Sequence, residues 1–204
     1  MAYYIRVLGR KDPDIPLQII SSCLRDEGLK ATINIESGST ENWELITIAD
    51  KDGNNIAQVE RNSTYVDSLG RDELIELEQE IEDCKPLKAV EWLKDFFKTV
   101  EVIYAIQVFD FSSGSDGWKI ISAVKSVLKS LTKGITQADY EGFSNEDGYH
   151  ILWQFSDNVD GDWYMAVLGP SEDWITFKMD LANKEHRVAF FEGKVPKGIS
   201  PIQH

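Results

Sequence analysis

The sequence is short of cysteine, histidine and positive charge, and each shortage removes a class of function. Cys23 and Cys84 are the only cysteines among 204 residues. They have no redox or metal-ligand spacing, and two free, partly buried thiols in predicted helices fit a reducing compartment, a single disulfide being the alternative. The three histidines, His150, His186 and His204, do not fall at the short intervals of a zinc site. No run of eighteen apolar residues is present, which argues against integral membrane association. The N-terminus also lacks a basic segment followed by an apolar one. A cytoplasmic protein is the expectation from these absences.

Lys and Arg total 21 against 35 Asp and Glu, a net charge of −14. The imbalance is spread through the chain: residues 1–100 carry 12 basic and 20 acidic groups, and residues 101–204 carry 9 and 15. Such a field opposes contact with a phosphate backbone and disfavours nucleic acid as a partner. It favours a basic protein partner, while also serving solubility.

Large apolar residues are plentiful. A hydrophobic content of 42%, with six Trp, nine Phe and seven Tyr, is enough to fill a core and argues against disorder. One stretch occurs twice. Tyr3-Tyr4-Ile5-Arg6-Val7, a turn and Gln18-Ile19-Ile20-Ser21 return as Tyr104-Ala105-Ile106-Gln107-Val108, a turn and Lys119-Ile120-Ile121-Ser122, at a constant offset of 101 residues. Each copy reads as a strand entering an amphipathic helix. In the first helix Ile15, Ile19, Ile20, Cys23 and Leu24 form the expected apolar face, with Gly28 as the stop. Strands are expected at 31–35, 43–49 and 55–60, the last two joined at Asp52-Gly53.

Ser68 is placed to cap a helix with Asp72 and Glu73 in its first turn, burying Leu74, Leu77 and Ile81. A second helix from Pro86 carries Leu87, Val90, Leu93 and Phe97 as its stripe, with Trp92 off its centre. In the second half, a strand over 102–111 and a helix burying Ile121, Val124, Leu128 and Leu131 end near Gly134. The sequence then predicts a short strand within 139–143. It also predicts a hairpin of 149–155 with 162–168, and another of 174–179 with 187–191. The fold class expected is α+β: two imperfectly repeated strand-helix-antiparallel-sheet halves joined by a central helical segment. The corresponding division is 1–67, 68–100 and 101–204.

No local motif fixes a reaction. Asp157, Asp160 and Asp162 crowd one turn, but the glycine and glutamate spacing of a calcium loop is missing. Asp50, Asp52 and Asn54 form a similar turn, and hairpin chemistry explains both. Ser112–Gly117 precedes a helix without the glycine and lysine pattern of a phosphate loop. No metal or cofactor is expected. Cys23 and Cys84 have no local base to activate them as nucleophiles.

Two functional readings follow. The first is a non-enzymatic binding or regulatory protein covering a basic protein partner, an immunity-like inhibitor being one version. Its candidate interface is the acidic helix surface at Glu76, Glu80 and Asp83, and the constellation of Asp162 and Trp163 with Glu172, Asp173 and Trp174. The alternative is a small hydrolase using carboxylates or His150 in a cleft between the halves.

Overall fold

An alternating segment at 3–9 and a nearly continuous apolar run at 102–108 produce the two strands that anchor the first part of the fold. The structure, a computed structural model, describes residues 3–109, 116–156 and 158–203. The fold is mixed α+β, and the chain forms two compact units: Met1–Asp72 with Val100–Gly134, and Glu73–Thr99 with Ile135–His204.

In the first unit, β1 (Tyr3–Gly9) is followed by α1 (Leu17–Asp26), β2 (Thr32–Gly38), β3 (Trp43–Ala49) and β4 (Asn55–Ser63). After α2 (Leu69–Glu80) and α3 (Leu87–Phe97) the chain returns as β5 (Val102–Val108) and α4 (Gly117–Thr132). Five of these strands lie in the order β2-β3-β4-β5-β1, each antiparallel to its neighbour.

The two repeated segments lie side by side. β1 and β5 pair so that Ile5 faces Ile106, Tyr3 faces Val108 and Val7 faces Tyr104. Each Tyr-x-Ile-x-Val segment is thus paired with the other in reverse, as about a local two-fold axis through the Ile5–Ile106 pair. The helices that follow the two strands, α1 and α4, pack on each other. Their buried residues include Ile20 and Leu24 on α1 and Ile120, Ile121, Val124 and Leu128 on α4. Burying a side chain of this size stabilises by about 1.5–3 kcal/mol. The two segments differ in three dimensions. Ile19 is 42% exposed whereas its counterpart Ile120 is fully buried. Leu17 takes the place expected of Ile19 on the α1 core face, about one turn before Ile20 and two before Leu24.

The Asp52-Gly53 turn joins β3 to β4 as expected. Gly53 has φ +84°, and the Asp50 carboxylate accepts the N–H groups of Asp52 and Asn54, each at 2.9 Å. Those bonds, chiefly the one from Asn54, hold the Asp50 carboxyl below its ordinary value. At the end of α4 it is Lys133 that enters the left-handed region (φ 51°). Gly134 is needed for space: a Cβ there would sit 2.6 Å from the Leu8 carbonyl oxygen.

The second unit contains most of α2, with Leu74, Leu77 and Ile81 buried as the pattern predicts. On α3, Ala89, Val90, Leu93, Phe96 and Phe97 are buried, while Leu87, in the first turn, is 56% exposed and leaves the expected stripe. A short hairpin of β6 (Ile135–Ala138) and β7 (Gly142–Ser144) accounts for the expected strand near 139–143, whose first residues form the turn.

Two hairpins predicted downstream are replaced by one. β8 (Asp162–Leu168) pairs over its whole length with β9 (Trp174–Asp180), Met165 facing Phe177. The Gly169-Pro170 segment lies in the turn of this hairpin, with Gly169 N–H donating to the Asp173 carbonyl at 2.9 Å. Residues 149–155 form no ladder with β8; among the described residues their backbone meets it at one parallel bridge between His150 and Met165. The pairing chosen puts Met165, Val167, Phe177 and Met179 into one core with Phe155, Leu181 and Phe190.

Residues 187–191, expected as a strand, belong to helix α5 (Lys184–Phe191). Asn183 caps it: its side-chain oxygen accepts from Glu185 N–H at 2.9 Å and His186 N–H at 3.3 Å. The helix is further tied down by Arg187, whose guanidinium donates to the carbonyls of Leu181 and Val159 and lies over the Trp153 ring. Loss of the cap in Asn183→Ala is expected to lower stability by about 1 kcal/mol in denaturant unfolding, whereas an unstructured or strand-forming 184–191 segment would show no such loss.

Candidate functional site

Residues 88–95 of α3 present a face that does not join the core. Lys88, Glu91, Trp92 and Asp95 recur at intervals of three and four, which aligns them along one side of the helix. Against this side comes the β8–β9 turn, so that Leu168, Gly169, Pro170 and Glu172 close a cavity of about 300 Å³ with those four residues. The pocket lies wholly inside the second unit.

Its indole is held firmly. Trp92 stacks on Phe96, one helical turn away, with centroids 5.3 Å apart and planes inclined by 28°. It meets Trp174 edge-on, at 5.1 Å and 74°. Trp174 faces Leu168 across the β8–β9 pair, at the end of the ladder beside the turn. The ring of Trp92 remains half-buried, so part of it forms the pocket wall.

The charged groups reach the rim from two elements. Glu91 and Asp95 come from the helix and Glu172 from the turn, where it adopts φ +63°. Asp95 also pairs with Lys98 at 2.7 Å, a contact with both side chains more than 70% exposed and therefore of little energetic weight. Lys88 is the single cation of the lining among the described residues. An aromatic face with surrounding carboxylates favours a cationic guest, since the ring quadrupole and the carboxylates attract the same sign of charge.

The predicted interface residues are distributed more widely. Glu172, Asp173 and Trp174 are consecutive at the β8–β9 turn, and Glu172 lines the pocket. Asp162 and Trp163 lie at the opposite end of the same strand pair, where Asp162 forms an ion pair with Lys178 at 3.1 Å. The two tryptophans also point to opposite faces. Trp163 packs edge-on against His150 and Phe155, both at 4.9 Å, beside the core that contains Phe177, while Trp174 meets Trp92. Glu76, Glu80 and Asp83 are exposed, the first two on the α2 side away from Leu74 and Leu77. The principal pocket residue not singled out from sequence is Trp92, although its displacement from the α3 stripe was the visible signal.

His150 lies near a hydroxyl. Its Nδ1 is 3.5 Å from Ser144 Oγ, and its ring packs against Phe155 and Trp163. Ser144 is almost fully buried, and the Trp92 pocket is lined by other residues.

Neither thiol is activated. Burial pushes Cys23 and Cys84 up, with Glu27 beside the first and Asp83 beside the second acting in the same direction. Both are therefore expected to react with a thiol reagent at pH 7 more slowly than free cysteine, and a faster rate at either would show an activating environment. Among the described residues, no group of three or more His, Cys, Asp and Glu is placed to hold a metal ion. The Asp157 part of the acidic turn, and residues 112–115 of the Gly/Ser loop, lie outside the described residues. Among the described residues, no helix is long and apolar enough to cross a membrane.

Tyr104 is the other notable polar group. It is fully buried beside Trp43, and its hydroxyl has no hydrogen-bond partner among the described residues. Burial pushes the phenol up, against the opposing pull of the Arg61 guanidinium, so the ring stays neutral. Tyr104→Phe removes an unsatisfied hydroxyl and is expected to leave stability unchanged or raise it by about 1 kcal/mol in denaturant titration. A loss of comparable size would show that the hydroxyl contributes a bond to the folded state. No protein family model matches the chain, and comparison with curated proteins and with solved structures returns no match.

Proposed function

We propose that this chain is a non-enzymatic binding or regulatory protein that covers a basic protein partner, in the manner of an immunity-like inhibitor. The observation that carries this reading is the Trp92 pocket, where an indole and three carboxylates from α3 and the β8–β9 turn surround a cavity of side-chain size. The net charge of −14 supports it by steering a basic surface towards the chain. The neighbouring Asp173 and the exposed acids Glu76, Glu80 and Asp83 add to the same field. A cytoplasmic setting and an origin of the β1–α1 and β5–α4 segments by duplication belong to the same proposal.

The test is affinity capture followed by titration of the purified captured protein at several salt concentrations. The reading expects a basic partner, saturable binding and an affinity that falls as salt rises. Binding that is unsaturable, or that is indifferent to salt, would overturn it.

A second reading, a small hydrolase acting through His150, is favoured by the Ser144–His150 approach of 3.5 Å. It expects ester hydrolysis that disappears in both Ser144→Ala and His150→Ala. Activity that survives both substitutions would remove this pair from consideration.

A further inference from the structure

We infer that the Trp92 pocket is the seat of a single arginine side chain contributed by the protein partner. This inference rests on the binding reading above and specifies its ligand chemistry. At about 300 Å³ the cavity is at the small end of ligand sites, suited to one side chain rather than to an extended cofactor. Its wall is tryptophan, the aromatic residue that attracts a cation most strongly.

The carboxylates distinguish among cations. A quaternary ammonium group has no N–H to donate and would leave Glu91 and Glu172 without a partner. A guanidinium carries five donors in a plane. It can lie over an indole and still direct N–H groups sideways to carboxylates on the rim. Glu91 and Glu172 approach from different elements, so a planar fork can be held from two sides. Arginine is also more weakly hydrated than lysine and gives up less on entering a partly enclosed site. Lys88, on the same lining, opposes any cation and serves as an internal control of sign.

The experiment titrates acetyl-Gly-Arg-Gly-amide into the full chain and follows the Trp92 indole N–H together with the backbone amides of residues 168–172 by NMR. The citrulline and lysine analogues serve as comparison peptides. The inference predicts saturable shifts with a dissociation constant on the order of millimolar. Binding should weaken roughly tenfold for citrulline, which keeps the shape but loses the charge, and several-fold for lysine. Glu172→Gln, an exposed change that leaves the core untouched, should weaken the arginine peptide by roughly fivefold. Lys88→Met should strengthen it by roughly two- to threefold, by removing a like charge.

Equal binding of the citrulline or lysine peptide, or no response to Glu172→Gln, would overturn the assignment. These results are independent of any protein partner. A captured partner whose affinity ignores Glu172→Gln would sink the pocket assignment and leave the binding reading standing. Peptide binding with the predicted order but without any protein partner would do the reverse.

Discussion

Trp43→Ala is expected to lower the unfolding free energy of the first unit by about 3–5 kcal/mol. Trp43 is 2% exposed and lies against Tyr104, with centroids 5.6 Å apart. Truncation empties a large buried volume that the surrounding strands can refill only in part. It also removes the Nε1–H that donates to the Ile15 carbonyl at 2.8 Å and secures the segment entering α1. Trp43→Phe separates the two contributions, since it keeps a ring but loses the donor. It should cost about 1–3 kcal/mol, the desolvation penalty of a buried carbonyl left without a partner together with some lost packing. Denaturant unfolding followed by far-ultraviolet circular dichroism checks both values. A loss below about 1 kcal/mol for Trp43→Ala would mean that the indole is not the packing centre described here.

The second large effect concerns binding. Removing the pocket's aromatic wall in Trp92→Leu is expected to weaken the basic partner by about 2 kcal/mol, close to thirtyfold, as for a tryptophan at the centre of an interface. Loss of cation–π attraction and of a rigid flat surface both contribute. The substitution also disturbs the stacks with Phe96 and Trp174, so its fold must be verified through the unfolding midpoint. Asp162→Asn supplies the contrast. Asp162 lies at the far end of the β8–β9 ladder from Glu172 and is already paired with Lys178, so its loss should change affinity only within the few tenths of a kcal/mol typical of an exposed ion pair. Isothermal titration of the partner against the two variants makes the comparison. An equal effect from both would spread the interface over the whole strand pair.

Local patterns carried most of the first unit's secondary structure. The alternation in 3–9, the apolar run at 102–108, the 3.6-residue spacing of the helices and the Asp52-Gly53 turn are all signals local in sequence. Sequence similarity suggested the repeat, but only the pairing of Ile5 with Ile106 shows how the two copies meet. The second unit was harder because its choices are non-local. Residues 163–168 are a continuous apolar run that suits a strand whether its partner precedes or follows it, and both Gly161 and Gly169-Pro170 offer acceptable turns. Burial of Met165 against Phe177 decides in favour of the later partner. Residues 188–191 form a short apolar run after Arg187 that suits either strand or helix, and the informative residue was Asn183, upstream of it.

The same distinction applies to the site. Trp163 and Trp174 are both aromatic, acid-flanked and close in sequence, yet the two-residue period of a strand sends them to opposite faces. Trp92 gave only an indirect sign, as a large aromatic residue off the core stripe of its helix. Its significance depends on the approach of Glu172 from a turn eighty residues away.

The central claim is that a carboxylate at the Trp92 pocket engages an arginine of a basic partner. A double-mutant cycle tests it most directly: Glu172→Gln in this chain is combined with Arg→Ala in the captured partner, and all four combinations are titrated at one salt concentration. The account predicts a coupling of about 1 kcal/mol or more for one partner arginine, in the range of close charge pairs at interfaces. Additivity within about 0.3 kcal/mol for every arginine on the partner's surface would contradict it.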